Sequence, residues 1–212
     1  LGYGDYTDYQ NKVAQLESQG THFVRWGAPD EKHPGISIGC DNFQGGESIT
    51  QHLISQGKTT FAFIGDNGDH APEFKARFTG YYRTLLAHGL DKNSSQFDAI
   101  STEDAGSEAI RGLIEAGELP QAIVCASDLI AMGALRALRQ AKIKVPDDVA
   151  VVGYDNIAVS AYTTPALTTV QQNTKLAGEL LVSALLKAIN NEEVDDYLMP
   201  AEVIVRQSCG SQ

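Results

Sequence analysis

Short solid apolar runs alternate along the chain with longer stretches in which apolar residues recur every three or four positions. The solid runs predict buried strands, of which the clearest cover 59–64, 122–125 and 149–152. The periodic stretches predict helices, among them one that begins near Pro72 and one that Asn173 caps. Such alternation is typical of a parallel sheet covered by helices on both faces, so we predict an α/β protein.

The rest of the chain continues the same alternation. Further helices are predicted over 7–19, 42–56 and 107–116 and from Ser127 onward, and further strands over 22–26, 36–40, 97–100, 197–199 and 203–205. A length of 212 residues suits one large domain or two small lobes.

Polar residues follow several of the predicted strands directly. Ligands of open parallel sheets bind beyond the carboxyl ends of the strands, so residues at these positions are candidates for a binding site. They lie at 65–66, 101–103, 127–128 and 153–155.

Asp128 and Asp155 are two carboxylates that follow neighbouring predicted strands. Paired carboxylates can catalyse glycoside hydrolysis, bind a hard cation, or accept hydrogen bonds from ligand hydroxyls. Asp128 also lies in the first turn of a predicted helix, where a carboxylate is favourable without any ligand. Asp155 has no such helical role, and the spacing alone leaves all of these alternatives open.

Arg77 borders the apolar stripe of the helix that begins near Pro72. It lies in the amino-terminal half of that helix, where the helix dipole disfavours a cation. This mismatch points to a partner in a cleft, and the alternative is a solvated arginine whose stem covers the core.

Composition narrows the classes of function. The net charge is −11 and Lys and Arg form no cluster, so this chain by itself is a poor candidate for binding DNA or an anionic membrane. The three cysteines include no C-x-x-C pair, which predicts reduced thiols and neither zinc nor a disulfide framework. No apolar run reaches the length of a transmembrane helix. We expect no metal, no cofactor, no membrane contact and a cytoplasmic location.

Several segments together resemble the effector-binding domain of the LacI/GalR family of bacterial transcription regulators. The segments are HLISQGKTTFAFIGD (52–66), ARFTGYYRTLLAHGL (76–90), AIVCASDLIAMGALRALRQAKIKVPDDVAVVGYDN (122–156), TTPALTTVQQ (163–172) and VIVRQSCG (203–210). The likeness extends over most of the chain, and the later segments are the more specific ones.

The resemblance implies a two-lobed fold like that of the periplasmic sugar-binding proteins, in which the chain crosses three times between lobes built on parallel sheets. On this basis we expect a first lobe of residues 1–58 and 173–198 and a second lobe of 59–172 and 199–212. The chain begins with a stretch that resembles the middle of the family's first lobe. We therefore expect that lobe to be incomplete, with the DNA-binding headpiece outside this chain.

The resemblance also implies roles for particular residues. Arg77 matches the arginine that contacts the effector in the family, and Asp155 matches an aspartate of the cleft. Ser127 and Asp128 fall where the family has residues that face the ligand, and Gln172 matches a polar position beside a crossover. These matches favour the binding of hydroxyls over hydrolysis or metal binding.

The function implied is that of a non-enzymatic domain that senses a small effector, most simply a sugar, in the cleft between the lobes. Family members pair as homodimers and reach operator DNA through their headpiece. Two other functions stay open at this point. One is a periplasmic sugar-binding protein of a transport system, and the other is a glycosidase or nucleoside hydrolase that uses Asp128 and Asp155.

Overall fold

The computed structural model describes residues 6–29 and 35–210, which form helices and strands in alternation. The helices are α1 (Tyr6–Ser18), α2 (Asn42–Ser55), α3 (Pro72–Ala87), α4 (Glu103–Ala116), α5 (Asp128–Gln140) and α6 (Thr174–Ile189). The strands are β1 (Val24–Trp26), β2 (Ile36–Cys40), β3 (Phe61–Ile64), β4 (Ser94–Phe97), β5 (Ala122–Cys125), β6 (Ala150–Asp155), β7 (Thr168–Gln171), β8 (Tyr197–Met199) and β9 (Glu202–Ile204). None of the described helices is both long and apolar enough to cross a membrane.

The strands form two sheets, and each sheet defines a lobe. The smaller sheet has the order β1-β2-β8 and is parallel throughout, and α6 packs on it. The larger sheet has the order β4-β3-β5-β6-β7-β9, in which only β9 runs antiparallel to its neighbour. The chain passes between the sheets after β2, after β7 and after β8. The predicted α/β fold with parallel sheets and three crossovers is therefore confirmed.

The larger sheet contains most of the described core. Every residue of β3 and β5 is buried, as their continuous apolar sequences predict. Phe63 packs against α3 through Phe78 and Tyr81, with ring centroids 5.3 and 5.4 Å away. Burying each such large side chain stabilises the fold by roughly 1.5–3 kcal/mol. The carboxyl ends of these strands are thereby held at fixed positions along one edge.

Two elements begin three or four residues earlier than predicted, because their first residues are polar. Strand β4 covers Ser94–Phe97 instead of 97–100, since an edge strand that pairs only with β3 tolerates the polar Ser94-Ser95-Gln96. Helix α4 begins four residues earlier than predicted, at Glu103, because the Thr102 side chain accepts the N–H of Ala105.

Helix α2 packs with the larger lobe, although the predicted boundary at residue 58 assigns it to the smaller one. A methyl group on Gly46 would lie 2.2 Å from the carbonyl oxygen of Arg77, and one on Gly80 would lie 2.1 Å from that of Phe43. The backbones of α2 and α3 are thus in contact. The first crossover accordingly lies at Asp41, whose side chain caps α2 by accepting the N–H of Gln44.

We predict that Gly80→Ala destabilises the protein by about 2 kcal/mol or more, because the added methyl group must push α3 away from α2. Gly112→Ala is the matched control, since no atom lies within 4 Å of its added methyl group on α4. The control should gain about 0.5–1 kcal/mol from helix propensity. Urea unfolding measures both, and equal stabilisation of the two variants would contradict the close packing of α2 on α3.

Candidate ligand-binding site

Three of the five residues predicted for the site meet at the junction of the lobes. Nη2 of Arg77, on α3, lies 3.3 Å from Oδ1 of Asp155, the last residue of β6. The side-chain amide of Gln172 donates a hydrogen bond of 2.6 Å to the same oxygen. Gln172 follows β7 at the second crossover, so this cluster joins α3, the end of a central strand and a connection between the lobes.

Arg77 is buried, with only 4% of its surface exposed, so the alternative of a solvated arginine is wrong. Its Nε donates to Oδ1 of Asn42 at 2.8 Å, and its Nη1 donates to the carbonyl oxygen of Ala126 at the end of β5. The guanidinium also lies 3.8 Å from the ring centroid of Tyr154, a favourable cation–π distance. The mismatch between this cation and the helix dipole is thus compensated by partners within the protein.

The same cluster extends to the smaller sheet. The amide of Asn42 donates to the carbonyl oxygen of Cys40, the last residue of β2. Tyr154 packs closely on the start of α2, since a methyl group on Gly45 would lie 2.0 Å from its hydroxyl oxygen and 3.0 Å from the Cβ of Ala201. Ala201 belongs to the third crossover, so all three connections between the lobes converge on this cluster.

Asp155 has a backbone conformation that L-residues rarely adopt. Its φ angle is +109°, and that of Asn156 is +53°. Such conformations cost roughly 1–3 kcal/mol and cluster at ligand sites and switches. Burial raises the pKa of the Asp155 carboxyl, and Arg77 and Gln172 oppose that rise. The strand therefore ends in a strained turn that holds a carboxylate beside Arg77.

Asp128, which the resemblance predicts to face the ligand, is bound by groups of the protein itself. It is fully buried, and both carboxylate oxygens already have donors. Oδ2 accepts the N–H of Ile157 at 2.8 Å, and Oδ1 accepts the hydroxyl of Thr169 at 2.6 Å. Gly153 allows this approach, because a Cβ there would lie 2.3 Å from Oδ1. Asp128 thus holds the loop after β6 against β7.

Ser127 is the N-cap of α5 and is 1% exposed. Its hydroxyl oxygen accepts the N–H of Ile130 at 3.4 Å and the hydroxyl of Ser101 at 2.8 Å. Ser127 lies beside Ala126, whose carbonyl holds Arg77, so it supports the cluster from the neighbouring strand end.

Asn42 and Glu73 were not predicted as site residues, and Tyr154 was included only within the candidate range 153–155. Glu73 lies in the first turn of α3, and its Oε1 is 3.6 Å from where a Cβ on Gly27 would lie. Gly27 directly follows β1 of the smaller sheet, so Glu73 reaches from one lobe to the other. A cluster that could hold a metal is absent from the described residues.

This architecture defines a class of protein, an α/β ligand-binding domain whose two sheets are joined by three connections beside one buried polar cluster. The chain belongs to the family described as the periplasmic binding protein-like domain, whose profile matches residues 50–209. It is 36% identical over 177 residues to the HTH-type transcriptional regulator RegA of Clostridium saccharobutylicum, with 81% of this chain and 53% of that protein covered.

Solved structures of LacI-type regulators share the fold. A transcriptional regulator CelR–cellobiose complex has a TM-score of 0.81 at 32% identity, covering 91% of this chain and 60% of that one. A LacI family regulator from Enterococcus faecium with bound ribose has a TM-score of 0.85 at 24% identity, covering 95% and 75%. The chain spans about half the length of the curated relatives it matches. The recognised likeness to LacI-family ligand-binding domains is confirmed.

We predict that Tyr154→Phe leaves the free energy of unfolding unchanged or raises it by about 1 kcal/mol. The hydroxyl of Tyr154 is buried and has no hydrogen-bond partner among the residues that the structure describes, so removing it relieves a desolvation cost while the ring still covers Arg77. Urea unfolding is the measurement. A loss above about 1 kcal/mol would show that the hydroxyl has a favourable partner in solution.

The pH dependence of stability should reveal the buried Asp128. Burial raises its pKa to about 6, and the bonds from Thr169 and Ile157 only partly offset the rise. The native state therefore keeps this proton up to a higher pH than the unfolded chain, so this group lowers stability as pH rises from about 4 to about 6. Asp128→Asn removes the titration, and wild type should lose up to about 3 kcal/mol relative to it across that range.

Urea unfolding of wild type and Asp128→Asn between pH 4 and 7.5 provides this comparison. Because only the difference between the two proteins is used, the other titrating groups cancel. A difference that stays constant with pH would contradict the raised pKa of Asp128.

Proposed function

We propose that this chain is the effector-sensing domain of a LacI-type transcription regulator and that a small hydroxyl-bearing ligand, most simply a sugar, binds beside Arg77, Asp155 and Gln172. The observation that carries the proposal is the convergence of the three lobe connections on this one cluster. The sugar-bound structures of similar regulators support it, since cellobiose and ribose occupy proteins of this fold.

Asp155 is the residue through which a ligand would act on the cluster. Its side chain is 30% exposed, whereas that of Arg77 is 5% exposed, so the carboxylate presents the accessible oxygens. Ligand hydroxyls that donate to Asp155 would compete with Gln172 and Arg77 for the same oxygens. Such competition changes the contacts beside the crossovers, which favours one relative position of the lobes over another.

In the whole protein this shift would be relayed to a DNA-binding headpiece in the cytoplasm. The expected coupling is about 1–3 kcal/mol between effector and operator binding. We further propose that the chain pairs with a second copy of itself, as LacI-type regulators do, so that one effector-induced shift would act on a pair of headpieces.

We predict that Asp155→Ala weakens the binding of a sugar by about ten- to a hundredfold, the effect of losing hydrogen bonds to a charged acceptor. Calorimetric titration of the wild-type protein with a panel of sugars, including ribose and cellobiose, first identifies a ligand. The affinity of Asp155→Ala for that ligand is then measured in the same way. Asp147→Ala is the control, since it removes an exposed carboxylate away from the cluster. Unchanged affinity in Asp155→Ala would overturn the site assignment.

Asp155→Ala also leaves Arg77 without its counter-charge, so its folding must be checked by thermal unfolding. Gln172→Ala provides an independent variant, because it removes a neutral side chain that is only partly buried. It should alter the affinity for the same sugar with little loss of stability. Normal binding by both variants would exclude the cluster as the ligand site.

A further inference from the structure

The helices that begin at the carboxyl ends of the strands present acidic residues and capped N–H groups. Phosphate groups commonly bind unpaired N–H groups at such helix starts. Here the Asp41 side chain accepts the N–H of Gln44 at the start of α2. Helix α3 begins with Pro72, which has no N–H, followed by Glu73. The first turn of α4 adds Glu103 and Asp104, of which Asp104 pairs with Arg136.

Glu73 is the acidic residue best placed to meet a ligand between the lobes. Its carboxylate approaches Gly27, which directly follows β1 of the smaller sheet. It lies one helical turn before Arg77 on the same face of α3. The ion pairs formed among the described residues do not include Glu73.

The two cations at the start of α3 are already bound within the protein. Arg77 is buried and bound to Asn42, Ala126 and Asp155. Lys75 pairs with Asp69 at the start of α3. An anionic ligand beside α3 would therefore meet the carboxylates of Glu73 and Asp155, and like charges in close contact strongly oppose binding.

We infer that this site selects uncharged, hydroxyl-rich ligands and rejects anionic ones such as phosphorylated sugars, with Glu73 setting the charge selectivity. The inference rests on the proposed function and names the ligand class for the same site. Carboxylates of this kind accept hydrogen bonds from hydroxyls, so the feature that repels a phosphate also favours a neutral sugar.

The single tryptophan of the chain provides the signal for a test. Trp26 precedes Gly27 and is 42% exposed, so its fluorescence reports on the region that Glu73 approaches. The probes are matched pairs, ribose with ribose 5-phosphate and glucose with glucose 6-phosphate, together with cellobiose. Wherever the neutral sugar of a pair binds, its phosphate should have a dissociation constant at least tenfold higher. This gap between the two dissociation constants should narrow as the salt concentration rises, because salt screens the repulsion.

Glu73→Gln keeps the size of the side chain and removes its charge. It should narrow the gap between the neutral sugar and its phosphate about three- to tenfold. Glu115→Gln is the matched control, because it makes the same change of net charge at an exposed position near the carboxyl end of α4. The control should leave the gap unchanged.

The outcomes separate this inference from the proposed function. A phosphorylated sugar that binds wild type as tightly as its neutral partner would overturn the charge selectivity while supporting sugar sensing. An equal gap in wild type and Glu73→Gln would overturn the role of Glu73. If no sugar of either kind binds, by fluorescence or by calorimetry, the proposed function fails and the selectivity fails with it.

Discussion

The burial of a single guanidinium group constrains the centre of this structure. A charged arginine removed from water must find acceptors, and Arg77 finds them at the ends of different elements, in Asn42, Ala126 and Asp155. Because these acceptors lie at the first crossover and at the ends of two central strands, the charge fixes their relative positions. Tyr154 covers the guanidinium from one side and packs on the chain near the third crossover.

A second buried charge supports the first. Asp128 binds the N–H of Ile157 and the hydroxyl of Thr169, and so holds the loop after β6 in place. That loop begins with the strained backbone of Asp155, whose carboxylate would otherwise be free to turn away from Arg77. The two aspartates, which look alike in the amino-acid sequence, therefore have different roles. Asp128 positions the turn, and Asp155 presents its carboxylate oxygens at the junction of the lobes.

A buried polar cluster at the junction of the lobes suits a domain that responds to a ligand by changing the relative position of its lobes. Buried polar clusters have few intermediate states, since each group is either paired or costly to leave unpaired. A ligand whose hydroxyls bind the carboxylate oxygens of Asp155 would therefore act on all three connections between the lobes together. The proposed charge selectivity would restrict such ligands to uncharged ones, because Glu73 at the start of α3 favours hydroxyls over phosphates.

The sequence by itself determined the α/β class, most of the helices and strands, and the position of Asp155 at a strand end, because apolar periodicity and strand-end chemistry are local properties. The sequence also showed that Arg77 lies in the amino-terminal half of its helix, where a cation is unfavourable unless it has a partner. Only the tertiary structure decided which partners Arg77 has, that α2 belongs with the larger lobe, and that Asp128 turns inward while Glu73 approaches the smaller sheet. Those features depend on contacts between residues that are far apart in the chain, and such contacts cannot be predicted from the spacing of residue types.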